Sequence, residues 1–309
     1  MKNRKLIGNI MLILAALIWG VAFVSQRAGM ELIEPLTFNA TRLMLAAVAV
    51  GAVALISRAK NRRLLLSLSP AERKTRRLHT LLGGVLCGVF LTGATTLQQM
   101  GLVYTSAGKA GFITALYMLL VPIAGFLLFK KKNSPVVWGA VLIGLVGMYL
   151  LCVNEGFSLS YGDFLVLLCA FMFCGHILCC DYFVRQGDPI GMSAIQFVTA
   201  ALITSVIALI AETPSWEKIV SAAVPILYCG LLSGGVGYTL QIVAQKMTDP
   251  TIASLIMSLE SVFAVLAGAL ILQERMSTRE LIGCVVLFIA IVLVQIPLPL
   301  DKKRRGEHS

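Results

Sequence analysis

The sequence predicts an all-α integral membrane protein of ten transmembrane helices, arranged as two inverted five-helix repeats. Three observations carry that prediction. First, the 309 residues are 58% hydrophobic and 13% charged, with a mean hydropathy of +0.88; soluble domains are about 45–50% apolar and about a quarter charged. Second, the apolar residues fall into ten long runs. Third, the two halves of the chain match one another at a nearly constant offset. A span takes ~20 residues, so ten spans use roughly 200 of them. The rest gives about ten residues to each loop or tail, too few for a soluble domain of ~50 residues.

The elements follow in order. Lys2, Arg4 and Lys5 precede the first run, near 6–28. That run is too long for a signal-peptide core and lacks an A-x-A site, so it reads as a retained helix. Four more lie near 36–56, 78–104, 106–129 and 135–153, and a second set of five near 162–184, 189–211, 222–246, 250–272 and 281–296. Ser69-Pro-Ala-Glu72 and Ser277-Thr-Arg-Glu280 are capping boxes, in which each end's side chain satisfies the other's backbone N–H. Glu34-Pro35, Ser134-Pro135, Asp188-Pro189 and Asp249-Pro250 each place proline at the first helical position, where its missing N–H costs nothing. Pro122, in the middle of the fourth run, removes a backbone hydrogen bond and predicts a kink. Its equivalent in the ninth run is Val265 or Leu266, so no matching kink is expected there. All eight cysteines lie in apolar runs and none forms a C-x-x-C pair. They read as small apolar fillers, with neither a disulfide framework nor a metal site expected.

Lys and Arg set the orientation. With the N-terminus inside, twenty of them fall on cytoplasmic segments, most in the clusters at 58–77, 130–132 and 302–305. Five fall outside (Arg27, Lys109, Lys218, Arg275 and Arg279), and Arg42 lies within a span. A multi-pass cell-membrane protein with both termini cytoplasmic is the expectation. The same clusters account for the +11 net charge. They face anionic headgroups, which removes nucleic acid from the list of partners and leaves the lipid bilayer.

Self-comparison divides the chain at residues 6–153 and 162–296. An offset of 154 pairs Gly8 with Gly162, Pro35 with Pro189, Ala46-Ala47 with Ala200-Ala201, and Ala54-Leu55-Ile56 with Ala208-Leu209-Ile210. An offset of 143 pairs Thr96-Leu97-Gln98 with Thr239-Leu240-Gln241, Thr105 with Thr248 and Ala110 with Ala253, and one of 144 pairs Gly139 with Gly283. Five spans per half give the halves opposite topologies. Inverted repeats of this kind characterise secondary transporters, whose site lies between the halves near the bilayer midplane.

Several motifs carry a family resemblance across the whole chain, from about Leu6 to Pro297. They are Ala16-Leu-Ile-Trp-Gly-Val-Ala-Phe23, Thr41-Arg42, Gly101-Leu-Val-Tyr-Thr-Ser-Ala107, Leu255-Ile-Met-Ser-Leu-Glu-Ser-Val-Phe-Ala264 and Gln273-Glu274-Arg275. On these residues the sequence resembles an EamA-type member of the drug/metabolite transporter superfamily, which implies ten helices in two five-helix inverted repeats. The motifs are nearly silent on substrate. One departure is Ser261 after Glu260, where many relatives carry proline, which leaves the bend of helix 9 open.

Polar side chains inside a span face a bundle interior or an aqueous cavity. Glu260 lies ten residues past Pro250, about 15 Å into its helix and so near the midplane. It is the candidate protonation site or partner for a cationic substrate group; the structural alternative is an interhelical hydrogen bond, neutral or paired with Arg42. Arg42, roughly 10 Å past Pro35, is the candidate partner for a substrate carboxylate. Gln98 and Gln241 occupy equivalent positions in the two halves and are expected to line one central region, with helix-to-helix bonding as the alternative. Gln99 shares their amide chemistry. His176, the only intramembrane histidine, is a candidate proton relay or a hydrogen-bonded packing residue. Trp19, Phe23, Tyr104, Tyr117 and Tyr238 are candidates for an aromatic wall. The glycines of helices 3 and 8 read as close-packing or hinge positions, and Gly234-Gly235-Val-Gly237 lacks the lysine of a phosphate loop.

The expected function is a secondary transporter, an exporter of small organic metabolites such as amino acids or amphiphilic compounds, working by alternating access. Its partners are a small-molecule substrate and, for coupling, protons. No cofactor, catalytic residue or enzymatic activity is expected, and no Walker motif is present to bind ATP. The rivals are an intramembrane lipid-modifying enzyme, which needs more than one acid and one distant histidine, and a channel or sensor, which needs rings of charge or a carbonyl filter.

Overall fold

The computed structural model describes residues 2–105, 107–152, 160–271 and 277–295, and among them every regular element is helical. In chain order these are α1 (Lys2–Met30), α2 (Pro35–Lys60), α3 (Arg62–Ser67), α4 (Pro70–Tyr104), α5 (Ala107–Ala115), α6 (Tyr117–Phe129) and α7 (Pro135–Cys152). There follow α8 (Tyr161–Val184), α9 (Pro189–Ala211), α10 (Trp216–Ser221), α11 (Ala223–Leu227), a π-helical segment (Tyr228–Tyr238) and α12 (Thr239–Gln245). The last three are α13 (Pro250–Met257), α14 (Glu260–Ile271) and α15 (Thr278–Gln295). Eight helices among the described residues are long and apolar enough to cross a membrane, and Pro135–Leu151 is a shorter apolar one. The motif Gln273-Glu274-Arg275 and the basic tail at 302–305 lie outside the described residues, as do the side chains of Lys2, Lys109 and Cys152.

Local chemistry starts these helices. Ser69 Oγ accepts from the Glu72 N–H while Glu72 returns a bond to the Ser69 N–H, and Ser277 and Glu280 do the same. The first of these boxes starts α4 eight residues before the apolar run at 78. Asp188 and Asp249 cap α9 and α13 through Gly191 N–H and Thr251 N–H, each ahead of its proline. Outward faces remain apolar, with Leu127, Leu128, Ile210 and Leu270 strongly exposed, as a lipid solvent requires.

The fourth and ninth spans are both broken, and not where proline alone predicts. The fourth breaks at Leu116, between α5 and α6, while Pro122 lies inside α6. The ninth breaks at Ser258–Leu259 with no proline at all. There Ser254 Oγ donates to Thr251 O and Ser258 Oγ to Leu255 O, at 2.9 and 2.7 Å. Hydroxyls bonded back onto the helix compete with its ladder and bend it. The kink expected at Pro122 is therefore corrected: the chain breaks at Leu116, and a second break, which no proline announced, lies at Ser258–Leu259.

Helix contacts are close at several glycines. A β-carbon on Gly147 would stand 2.6 Å from Leu287 N, and one on Gly283 2.5 Å from Leu151 N, so α7 and α15 touch backbone to backbone. Gly101 and Gly162 do the same for α4 and α8. Around these seams α4 packs on α8 and α9, α2 on α9, and α1 on α14. They surround a cavity.

Candidate functional site

The cavity is built from the faces of nine elements. α1 contributes Trp19, Ala22, Phe23 and Gln26, the spacing of one helical face. α2 adds Arg42, α4 Gln98, α6 Tyr117, α8 Phe173 and Ile177. The π-helical segment adds Ser233 and Tyr238, α12 Gln241, and the broken ninth span Met257 and Glu260. The break puts Glu260 at the first turn of α14.

Aromatic rings form one wall. Trp19 Nε1 donates to Ser233 O at 3.1 Å, and its ring lies 4.8 Å from that of Tyr238. Phe197 and His176 meet Tyr238 edge-on from behind, at 5.9 and 5.8 Å. Tyr117 stands edge-on to Phe173 at 6.3 Å. Its hydroxyl donates to Glu260 Oε1 at 3.1 Å. The π-helical stretch supplies an irregular turn where the wall needs it, a common use of such segments at functional sites.

The two charged side chains reach the same cavity without meeting. Arg42 Nε donates to Asn39 Oδ1 at 2.9 Å, and Asn39 Nδ2 in turn donates to Thr95 Oγ1 at 3.2 Å. The guanidinium carbon lies 5.9 Å from the Phe38 ring centre. Arg42 and Glu260 form no ion pair, so the pairing alternative does not apply. Each is anchored from its own side, Arg42 by Asn39 and Glu260 by Tyr117, and each keeps 6–7% of its surface open.

The amides divide likewise. Gln98 Nε2 donates to Thr114 Oγ1 at 3.2 Å. Gln241 Nε2 donates to Gln245 Oε1 at 3.1 Å, and Gln245 Nε2 to Ile177 O at 2.9 Å. Gln26 Oε1 and Gln241 Oε1 are buried and accept nothing. An unmatched buried acceptor costs about 1–3 kcal/mol, so this wall favours an occupant that brings N–H or O–H donors. The free volume is about 40 Å³, against the ~150 Å³ of a cavity that takes up benzene. Only a few water-sized groups fit in this conformation.

Of the residues singled out in the sequence, Trp19, Phe23, Arg42, Gln98, Tyr117, Tyr238, Gln241 and Glu260 line the cavity together. His176 does not; it is fully buried behind Tyr238, with Nε2 at 2.9 Å from Gln196 Oε1. Tyr104 is no part of the wall: it is exposed and stands against Tyr161 at the far end of α4. Gln99 is fully buried away from the lining. Sequence reasoning missed Gln26, although an amide seven residues past Trp19 was the available signal. It also missed Asn39, whose role depends on a neighbouring helix.

Comparison with known proteins agrees with this picture. The chain is 27% identical over 293 residues to an uncharacterized transporter of Archaeoglobus fulgidus, covering 95% of this chain and 87% of that protein. It is 25% identical over 282 residues to the uncharacterized transporter YoaV of Bacillus subtilis, covering 89% and 92%. A solved crystal structure shares the fold, with a TM-score of 0.74 over 97% of this chain and 99% of its own at 16% identity. The model of the EamA-like transporter family matches twice, over residues 6–153 and 160–296. A helical membrane protein whose length is taken up by those two matches, around a polar cavity, belongs to the EamA-like transporter family.

Proposed function

We propose that this chain is a secondary transporter that exports small organic metabolites, amino acids or related amphiphilic compounds, by alternating access. The carrying observation is that Arg42 and Glu260 face one aromatic-walled cavity without pairing. A carboxylate suits Arg42, which can bind it in a fork. An ammonium suits Glu260 and the unmatched acceptors of Gln26 and Gln241. An apolar side chain suits Trp19, Phe23 and Phe173. The free volume of about 40 Å³ is too small for such a solute, so loading requires the surrounding helices to part, which rocking motion supplies.

Ten crossings in two inverted repeats, 6–153 and 162–296, form the proposed framework. Support comes from contacts that recur at the repeat offsets. Thr105 Oγ1 donates to Asp163 Oδ1 at 2.6 Å, and the offset partners Thr248 and Asn9 bond at 3.3 Å. Arg76 pairs with Asp188 at 2.7 Å, and Lys218 pairs with Glu34, where Glu34 and Asp188 are 154 apart and Arg76 and Lys218 are 142 apart. The breaks at Leu116 and Leu259 are 143 apart. Every one of these bonds joins one proposed repeat to the other. The Lys/Arg asymmetry supports a cell membrane location with both termini cytoplasmic.

Protons are the proposed coupling ion and Glu260 the carrier. In cells preloaded with radiolabelled amino acids, expression should speed efflux, and in proteoliposomes a pH gradient should drive it. Glu260→Gln keeps the hydrogen bond from Tyr117 and removes the titrating group, so net gradient-driven transport should fall at least about tenfold while exchange at equal concentrations persists. Wild-type transport indifferent to the gradient, or a Gln variant that still follows it, removes Glu260 from coupling. Accumulation instead of efflux in cells reverses the direction.

A further inference from the structure

A second cluster of chemistry-bearing side chains lies outside the cavity. Cys87 on α4 and His176 and Cys180 on α8 are each fully buried. Their ligand atoms all lie within 4.8 Å of one another. The Cys87 and Cys180 Sγ atoms are 3.4 Å apart, and Cys180 Sγ is 3.7 Å from His176 Nε2. On a tetrahedral zinc ion, with bonds of about 2.3 Å to sulfur and about 2.05 Å to nitrogen, two sulfurs sit roughly 3.8 Å apart and sulfur and nitrogen roughly 3.5 Å apart. These two separations lie within about half an ångström of the tetrahedral values.

We propose that Cys87, Cys180 and His176 form a binding site for a thiophilic divalent cation of the zinc class, tying α4 to α8. Charge favours this ion: two thiolates and one divalent cation sum to zero, the least costly state in a bilayer interior. Binding converts two thiols and the free ion into the neutral complex and releases two protons. His176 then binds through Nε2 and carries its proton on Nδ1. Gln196 Oε1, 2.9 Å from Nε2, is freed to become the fourth donor, an oxygen suited to the same ion. Packing as apolar filler does not explain the polar members of this group. Cys179, one residue before Cys180, is only half-buried and gives an incoming ion a first thiol. The site lies between the cavity and the end of α8 assigned to the cytoplasm, and it joins the two proposed repeats.

The test uses the purified full chain in detergent under a phosphine reductant, with Cd²⁺ alone as probe. One Cd²⁺ per chain should bind with a thiolate-to-metal charge-transfer band in the ultraviolet. Cys87→Ser and Cys180→Ser should each abolish the band, His176→Gln should weaken binding at least about tenfold, and Cys284→Ser, on α15, should leave it intact. In case the cysteine variants misfold, wild-type protein with and without Cd²⁺ is labelled with maleimide and mapped by mass spectrometry. Slower labelling confined to Cys87 and Cys180, with Cys179 as the only other affected thiol, supports the site. No Cd²⁺ uptake, protection at other cysteines, or a Cys87–Cys180 disulfide that persists under reductant overturns it.

Discussion

Replacing Gly237 with alanine perturbs the aromatic wall without replacing a polar side chain. Gly237 lies in the π-helical segment with its α-carbon against α1. A β-carbon there would stand 2.6 Å from Trp19 Nε1 and 3.2 Å from its Cε2, where ordinary contact begins at 3.4 Å. The indole must retreat by about 0.8 Å. It is held by the 3.1 Å bond to Ser233 O and by the Tyr238 ring at 4.8 Å, and it is 9% exposed, so it has little room. Overpacking of this kind costs ~1–3 kcal/mol, and the lost hydrogen bond about 1 more. Alanine's helix preference over glycine returns about 1 kcal/mol. The net expectation is a destabilisation of about 1–3 kcal/mol. Gly51→Ala is the control, because nothing lies within 4 Å of its β-carbon; only the propensity gain remains there. Thermal unfolding of both variants in detergent, with transport in proteoliposomes, is the assay. Gly237→Ala should melt several degrees below wild type and lose transport, and adding Trp19→Phe should recover part of the stability. A Gly237→Ala protein as stable and active as the Gly51→Ala control refutes the reasoning, since the indole would then be free to move.

Three further expectations follow from other parts of the molecule. Single cysteines at Arg63 and Arg305, with native cysteines removed, should resist an impermeant reagent added outside intact cells; efficient labelling at either overturns the orientation. Gln98→Ala and Gln241→Ala each remove one interhelical or intrahelical amide bond, worth ~0.6 kcal/mol, so transport should fall several-fold while the melting temperature changes little. Parallel loss of folding and transport makes them helix glue instead. Glu34, in the loop between α1 and α2, is held below its ordinary value of 4.5 by its hydrogen bond from Lys218. A lowered carboxylate stabilises the fold above the ordinary value and loses that contribution as pH falls through the lowered one. Lys218→Ala should therefore blunt the acid destabilisation below pH ~4.5, and a melting profile in acid identical to wild type removes this pair from the balance.

How much of this was legible beforehand depended on the range of each interaction. The long apolar runs, the capping boxes at Ser69 and Ser277 and the proline starts at Pro35, Pro189 and Pro250 are written within a few residues of chain, so sequence alone determined them. Trp19, Phe23, Gln98, Tyr117, Gln241 and Glu260 were likewise recognisable, because a polar or aromatic side chain deep in a span needs an interior to face. What the chain does not write locally is the partner across a helix seam. Only tertiary packing decided that Arg42 leans on Asn39 instead of Glu260, that Tyr104 turns outward while Tyr117 turns in, and that His176 is held behind Tyr238 beside two cysteines from different helices. The helix breaks belong to the same class. Pro122 announced a kink that falls six residues away at Leu116, while Ser254 and Ser258 bend the ninth span with no proline. In a bilayer every backbone group left open by a break must find a partner inside the protein, so the neighbouring helices, and not the breaking residue alone, choose where the chain can yield.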